Sequence, residues 1–192
     1  MPSVCAHMVV AKIISKKLNI NSDEFIKGNL LPDIIDDNDS HHKIVSGNYM
    51  VPDIDFFACK IDYSDSLQIG YLTHLLLDKH YLNNYIKTLY PNANIFIDRI
   101  IYEDYNIING FLIDRFNLDI GELEQVLSKY DCKIIEEKLK YNIECLKQKK
   151  NGSLKYLEPE SFSQFLLDIS SVIIKELNLY AYKYSKLCIC TW

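Results

Sequence analysis

The sequence has no histidine after His80, no pair of cysteines at Cys-x-x-Cys spacing, few glycines and prolines, and no long apolar run. A membrane-crossing helix needs roughly 20 consecutive apolar residues, so no transmembrane segment is expected. Cys5, Cys59, Cys132, Cys145, Cys188 and Cys190 are scattered, which argues against zinc-ribbon and thioredoxin-like sites, and a chain this size does not need disulfides. Most read as reduced core residues, with Cys188 and Cys190 at a frayed end. Six glycines and five prolines are too few for a loop-rich β-sandwich. Basic residues are outnumbered, 21 against 26, giving a net charge of −5. That balance argues against general attraction to nucleic acid or anionic lipid. Lys147, Lys149 and Lys150 form one short basic run, which reads as a solvated helix end. The opening MPSVCAHMVV lacks the parts of a secretory signal, so a cytoplasmic location is expected.

What is present is helical periodicity. Ile, Leu, Lys, Glu and Tyr recur at helical spacing almost to the end, and 192 residues with 48% hydrophobic content supply one sizeable core. The expectation is an all-α, single-domain chain, residues 1–192, forming a multi-helix bundle. Val4 to Leu18 reads as an amphipathic helix with His7, Val10, Ala11, Ile14 and Leu18 on its buried stripe. Ser22 is placed to cap a short second helix that Gly28 ends, with a turn at Asn29 to Asp33. From Asp33 to Asp55 the period disappears: six aspartates, His41, His42, Gly47 and Pro52 read as a functional loop. Regularity returns near Ser64 and runs to Tyr90-Pro91-Asn92. Helical tracts follow from Asn94 to Asn117, with a kink at Gly110, from Asp119 to Tyr130, and from Asp131 to Lys150. Asn151-Gly152-Ser153 is a turn. Pro159 opens a last helix burying Phe162, Phe165, Leu166, Ile169, Ile173 and Leu177.

The organising stretch is Gln68 to Tyr81, QIGYLTHLLLDKHY, where His74 and Asp78 lie one helical turn apart on one face. Leucines surround them, so this helix belongs at the centre of the bundle. A carboxylate carried there needs pairing, protonation or a metal. All five histidines, His7, His41, His42, His74 and His80, precede residue 81. Imidazole nitrogen and carboxylate oxygen are zinc ligands in hydrolytic centres, and His7, Asp33 and either His41 or His42 can approach His74 and Asp78. A buried histidine paired with an aspartate for stability alone accounts for the same spacing. His42 and His80 read as surface residues, and Asp104 as solvated or capping, with an acidic ligand role as its alternative.

The ordered set Ala6-His7, Gly28-Asn29-Leu30-Leu31-Pro32-Asp33, Ser40-His41-His42 and Gly70-Tyr71-Leu72-Thr73-His74 with Asp78 resembles the zinc-dependent phospholipase C family. The likeness covers the first 85 or so residues. It implies an all-helical fold around zinc, with ligand roles on His7, Asp33, His41, His74 and Asp78. The family's ligand opens the serine-histidine step and an aromatic follows, which favours His41 over His42. The two later histidines of the family have no counterpart here, so one or two Zn2+ ions are expected. The implied function is hydrolysis of a small-molecule or lipid phosphoester, with Asp33 as ligand and catalytic base and Tyr71, Tyr49 or Lys43 at the pocket. The alternatives are an HD-domain-like metal phosphohydrolase, for which the adjacent His-Asp pair is missing, and a non-catalytic helical binding or structural protein.

Overall fold

The computed structural model describes residues 2–35, 39–46, 49–90, 97–121, 124–125 and 152–185. Among the described residues the fold is all-α apart from one two-stranded hairpin. Helix α1 spans Val4–Leu18, α2 Ser22–Ile35, α3 Ile54–Ala58, α4 Ser66–His80, α5 Lys87–Leu89, α6 Ile97–Phe116 and α7 Pro159–Ser185. Strands β1 (Lys43–Ser46) and β2 (Tyr49–Pro52) pair antiparallel, with Val45 opposite Met50. Among the described residues no helix is long and apolar enough to cross a membrane. The tracts expected between Asp119 and Lys150 fall mostly outside the described residues, as do Cys132, Cys145, Cys188, Cys190 and the lysines of the basic run. Of the other cysteines, Cys5 is in the core and Cys59 is exposed.

Helix α1 starts where the Ser3 hydroxyl accepts the Ala6 N–H and stops at Asn19, whose φ of 52° reverses the chain. Its buried side carries His7 with Val10, Ala11 and Ile14. Asn21, not Ser22, caps α2, its side-chain oxygen accepting the Glu24 N–H. The expected stop at Gly28 does not occur: α2 continues through Asn29, Pro32 and Asp33 to Ile35. The glycine serves close approach instead. A Cβ at Gly28 would lie 1.9 Å from the Leu67 carbonyl oxygen, and one at Gly70 would lie 2.1 Å from that of Phe25. Helices α2 and α4 therefore touch backbone to backbone.

Asp65 caps α4 by accepting from Leu67 and Gln68, and Gln68 donates back to its second oxygen at 2.8 Å. The Gln68 side-chain oxygen in turn accepts the Asp62 N–H, tying the preceding turn to the helix start. Gly70, Leu72, Leu75, Leu76, Leu77, His74 and Asp78 are all buried, so α4 is the central helix its leucines implied. It passes directly into a π-helical turn, Tyr81–Ile86, and then α5. Helix α6 continues through Gly110 and ends at Asn117, φ 48°. Asp104 on α6 is buried, where solvation had been one expectation, and accepts from the backbone of Lys155, Tyr156 and Leu157. It tethers the approach to α7. That helix is capped by Glu158 and buries Phe162, Leu166, Ile169, Ile173 and Leu177, with Phe165 half-buried. One hydrophobic cluster joins side chains from Cys5 to Leu177.

Candidate metal centre

Four segments deliver one cluster. Helix α1 brings His7, α2 brings Asp33, the segment before β1 brings His41, and α4 brings His74 and Asp78. All five residues named from the sequence meet here. His41 Nε2 lies 3.2 Å from Asp33 Oδ1 and 3.2 Å from His74 Nε2. His74 Nε2 lies 3.6 Å from Asp78 Oδ2 and 3.8 Å from Asp33 Oδ1, while His41 Nε2 is 3.8 Å from Asp78 Oδ2. His7 Nε2 stands 3.4 Å from Asp78 Oδ1, and its ring stacks on that of His74 with centroids 3.8 Å apart. The side chains of His7, His74 and Asp78 are wholly buried, whereas Asp33 keeps 17% and His41 9% of theirs open. Solvent reaches the cluster from the Asp33 and His41 side.

The rings are held from behind. His74 Nδ1 donates to the Asn29 carbonyl at 2.7 Å, and Asn29 itself donates to the Gly70 carbonyl. A carbonyl can only accept, so Nδ1 carries a hydrogen and Nε2 is turned inward. His41 Nδ1 meets the Ser40 hydroxyl at 3.0 Å, and the Tyr71 hydroxyl donates to the Ser40 carbonyl. Such outer partners orient imidazoles toward a metal. Sequence reading missed the roles of Asn29 and Ser40, although both belong to the motifs that carry the resemblance; for Asn29, a polar residue among the apolar neighbours of α2 was the signal, and Ser40, in a polar turn, gave none.

Asp33 lies on a helix, not on the expected turn. His42 is half-buried, not a surface residue: at φ 45° its ring packs against Phe56, Phe57 and Tyr71. His80 is likewise half-buried, 2.7 Å from Glu176 on α7. Tyr71 lines a pocket with His42, whereas Lys43 is on the exposed hairpin and the Tyr49 side chain is outside the described residues.

The charges push one another. Burial alone would lower the His74 pKa, but the Asp78 and Asp33 carboxylates outweigh it and leave it above the ordinary value. Burial would raise Asp78, yet His74 and His7 hold it well below the usual carboxylate range. Asp33 is also lowered, by His74 and by its hydrogen bond to His41 against the cost of burial. His7 goes the other way: burial and the neighbouring His74 depress it.

The arrangement suits a cation. Both nitrogens of His7 and both oxygens of Asp78 are buried without a hydrogen-bond partner, a costly condition. The separations around Asp78 exceed the roughly 2.7–2.9 Å of a charge-assisted hydrogen bond. Four ligands at about 2.0–2.2 Å around one tetrahedral zinc ion would stand roughly 3.3–3.6 Å apart. The observed 3.2 to 3.8 Å brackets that spacing. Two triads fit within ligand range, His7, His74 and Asp78, and Asp33, His41 and His74. They share His74. No family model matches the chain, and no curated protein or solved structure is significantly similar to it.

Proposed function

We propose that the protein is a zinc-dependent phosphoester hydrolase of phospholipase C-like type. The observation that carries this reading is the convergence of three histidines and two aspartates on one largely buried point, with the Asp78 oxygens and His7 nitrogens lacking hydrogen bonds. The mixed nitrogen and oxygen set favours zinc over calcium or magnesium, which prefer all-oxygen surroundings. His41, His74, Asp33 and Asp78 would hold the ion, with His7 completing the shell beside Asp78. When bound, such an ion supplies Lewis acidity toward a phosphoryl oxygen and toward water.

The remaining work falls to the chain. Asn29 and Ser40 fix the two imidazoles so that no reorientation is needed when substrate arrives. Asp33, held ionised and the most open of the five, accepts a proton from water on the accessible side. The rear of the site is closed to bulk water, since His7, His74 and Asp78 are wholly buried. The HD-like alternative has no adjacent His-Asp pair to rest on.

The test is elemental analysis of tag-free protein, followed by hydrolysis of a generic aryl phosphodiester with zinc and with chelator. Zinc near one or two equivalents and chelator-sensitive turnover are expected. Protein that contains no divalent ion and cannot be loaded with one would end the enzyme reading and leave a purely structural cluster.

A further inference from the structure

We propose that the pocket beside the cluster, walled by His42, Phe56, Phe57, Lys60, Gln68 and Tyr71, binds a compact planar aromatic group of the phosphoester substrate. The inference rests on the metal-hydrolase reading and names its substrate class. Position comes first. Tyr71 is three residues before His74 on α4, about one turn or roughly 5 Å along the axis, and lies on the same stripe as His74 and Asp78. Its hydroxyl bonds the Ser40 carbonyl, while the Ser40 hydroxyl bonds His41. His42 follows His41 directly. The pocket therefore adjoins the side from which the cluster is open, where Asp33 and His41 keep partial exposure.

The lining then selects the ligand. Phe57 and Tyr71 are stacked with centroids 4.6 Å apart, and the His42 ring is tilted 5.4 Å from Phe57. The stacked sides cover one another, and the outer face and edges of this aromatic group reward a flat guest. Among the described residues no carboxylate lines the pocket, whereas Lys60 does, its ammonium 3.1 Å from the Phe56 ring centre. A quaternary ammonium head would meet like charge there, and a neutral aryl group joined to an anionic phosphate would not. The volume, about 380 Å³, sits at the low end of the roughly 300–1,000 Å³ of small-molecule sites. It suits one ring system rather than a two-chain lipid tail.

Calorimetric titration of the zinc-loaded full chain with phenylphosphonate, methylphosphonate and phosphocholine tests the proposal without relying on turnover. Phenylphosphonate should bind roughly tenfold or more tightly than methylphosphonate, the fold-change expected of one buried, stacked ring. Phe57→Ala should bring the two to within about twofold at unchanged zinc content, since stacking is what it removes. Phe57→Leu, which keeps most of the bulk, should narrow the gap and covers the case in which the alanine variant does not fold. Lys60→Gln, on the exposed rim, should weaken both phosphonates and leave their ratio intact. Zinc uptake with equal affinity for the two phosphonates, or tighter binding of phosphocholine, overturns the subsite alone. So does a phenyl preference that survives both Phe57 changes. A chain that takes up no zinc overturns the metal reading and the subsite with it.

Discussion

Replacing Asp78 by asparagine separates a metal ligand from a mere partner of histidine. The amide keeps the size of a side chain that is wholly buried between His7, His74 and His41 at 3.4 to 3.8 Å, and removes only its charge and one lone-pair-rich oxygen. At free zinc about a hundredfold above Kd, binding to the folded state adds about 2.7 kcal/mol. For a chain of this size each kcal/mol moves Tm by roughly 2–4 °C, so wild type should melt roughly 5–11 °C higher with zinc than with chelator. Loss of a ligand that weakens binding about a hundredfold leaves free zinc equal to Kd, and the gain falls to about 0.4 kcal/mol, roughly 1–2 °C. The variant also breaks a buried charge pair, which costs about 3 kcal/mol, but that loss is present in chelator and cancels from the comparison. The assay is a pair of melting curves for each protein. Equal zinc-induced shifts in wild type and Asp78→Asn would refute the claim that this carboxylate binds the ion.

The same geometry sets the outcome of other perturbations. His41→Ala should lose most bound zinc, while His42→Ala, altering a ring packed on Phe56, Phe57 and Tyr71, should retain it; metal content of the purified variants decides, and equal loss would contradict the assignment. Zinc affinity should fall as pH drops below the raised His74 pKa, because the ion displaces that proton, which competition with a coloured chelator across pH 5–8 reads directly. Without metal, the raised His74 stabilises the fold fully below its unfolded value near 6.5 and loses that contribution as pH rises through its folded value. The depressed Asp78 contributes fully above about 3.9 and is lost as pH falls through its folded value. Depressed His7 acts in a different window from His74, its contribution fading as pH falls below about 6.5, so His7→Ala should lessen the loss of chelated-protein stability on the acid side of that value and leave the alkaline-side loss due to His74 in place, as melting curves across pH read. Asp104→Asn should cost about 2–4 kcal/mol of stability through weakened bonds to Lys155, Tyr156 and Leu157, with no change in the zinc-induced shift; a diminished shift would mean that the tether also shapes the cluster.

The central helix was legible because two signals agreed: leucine on nearly every face of Gln68 to Tyr81, and a histidine and aspartate one turn apart within it. Helices α1 and α7 were legible from their apolar stripes, since a period of 3.6 sustained over several turns matches a helix and no strand. The failures cluster where a residue type has two uses. Gly28 and Pro32 are local signs of a helix end, yet Gly28 is there because Leu67 leaves no room for a Cβ, a tertiary fact invisible to local reading. The hairpin was hidden because Lys43 to Ser46 is solvent-exposed along its whole length and lacks the alternation of a half-buried strand. His80 looked like a surface residue because Glu176, its partner, lies 96 positions away in sequence. The five cluster residues came from an ordered motif set; geometry then added Asn29 and Ser40, whose roles depend on which way a ring faces.

In the proposed metal centre, the backbone contact at Gly28 and Gly70 would make the crossing of α2 and α4 a gauge for ion size. Nothing compressible lies between the Leu67 carbonyl and Gly28, or between the Phe25 carbonyl and Gly70. The helices cannot move closer, and the Asn29 bond to Gly70 together with the His74 bond to Asn29 resists their parting. Asp33 rides on one helix, His74 and Asp78 on the other. Repacking leucines elsewhere in the core would leave the gap between them unchanged. In the same tetrahedral arrangement of four ligands, an ion as large as calcium, with ligands at roughly 2.3–2.6 Å, would require those side chains to spread by about half an ångström, against a crossing with no slack. Discrimination by radius would then be set by two hydrogen atoms where other residues carry a Cβ, well away from any atom that touches the ion.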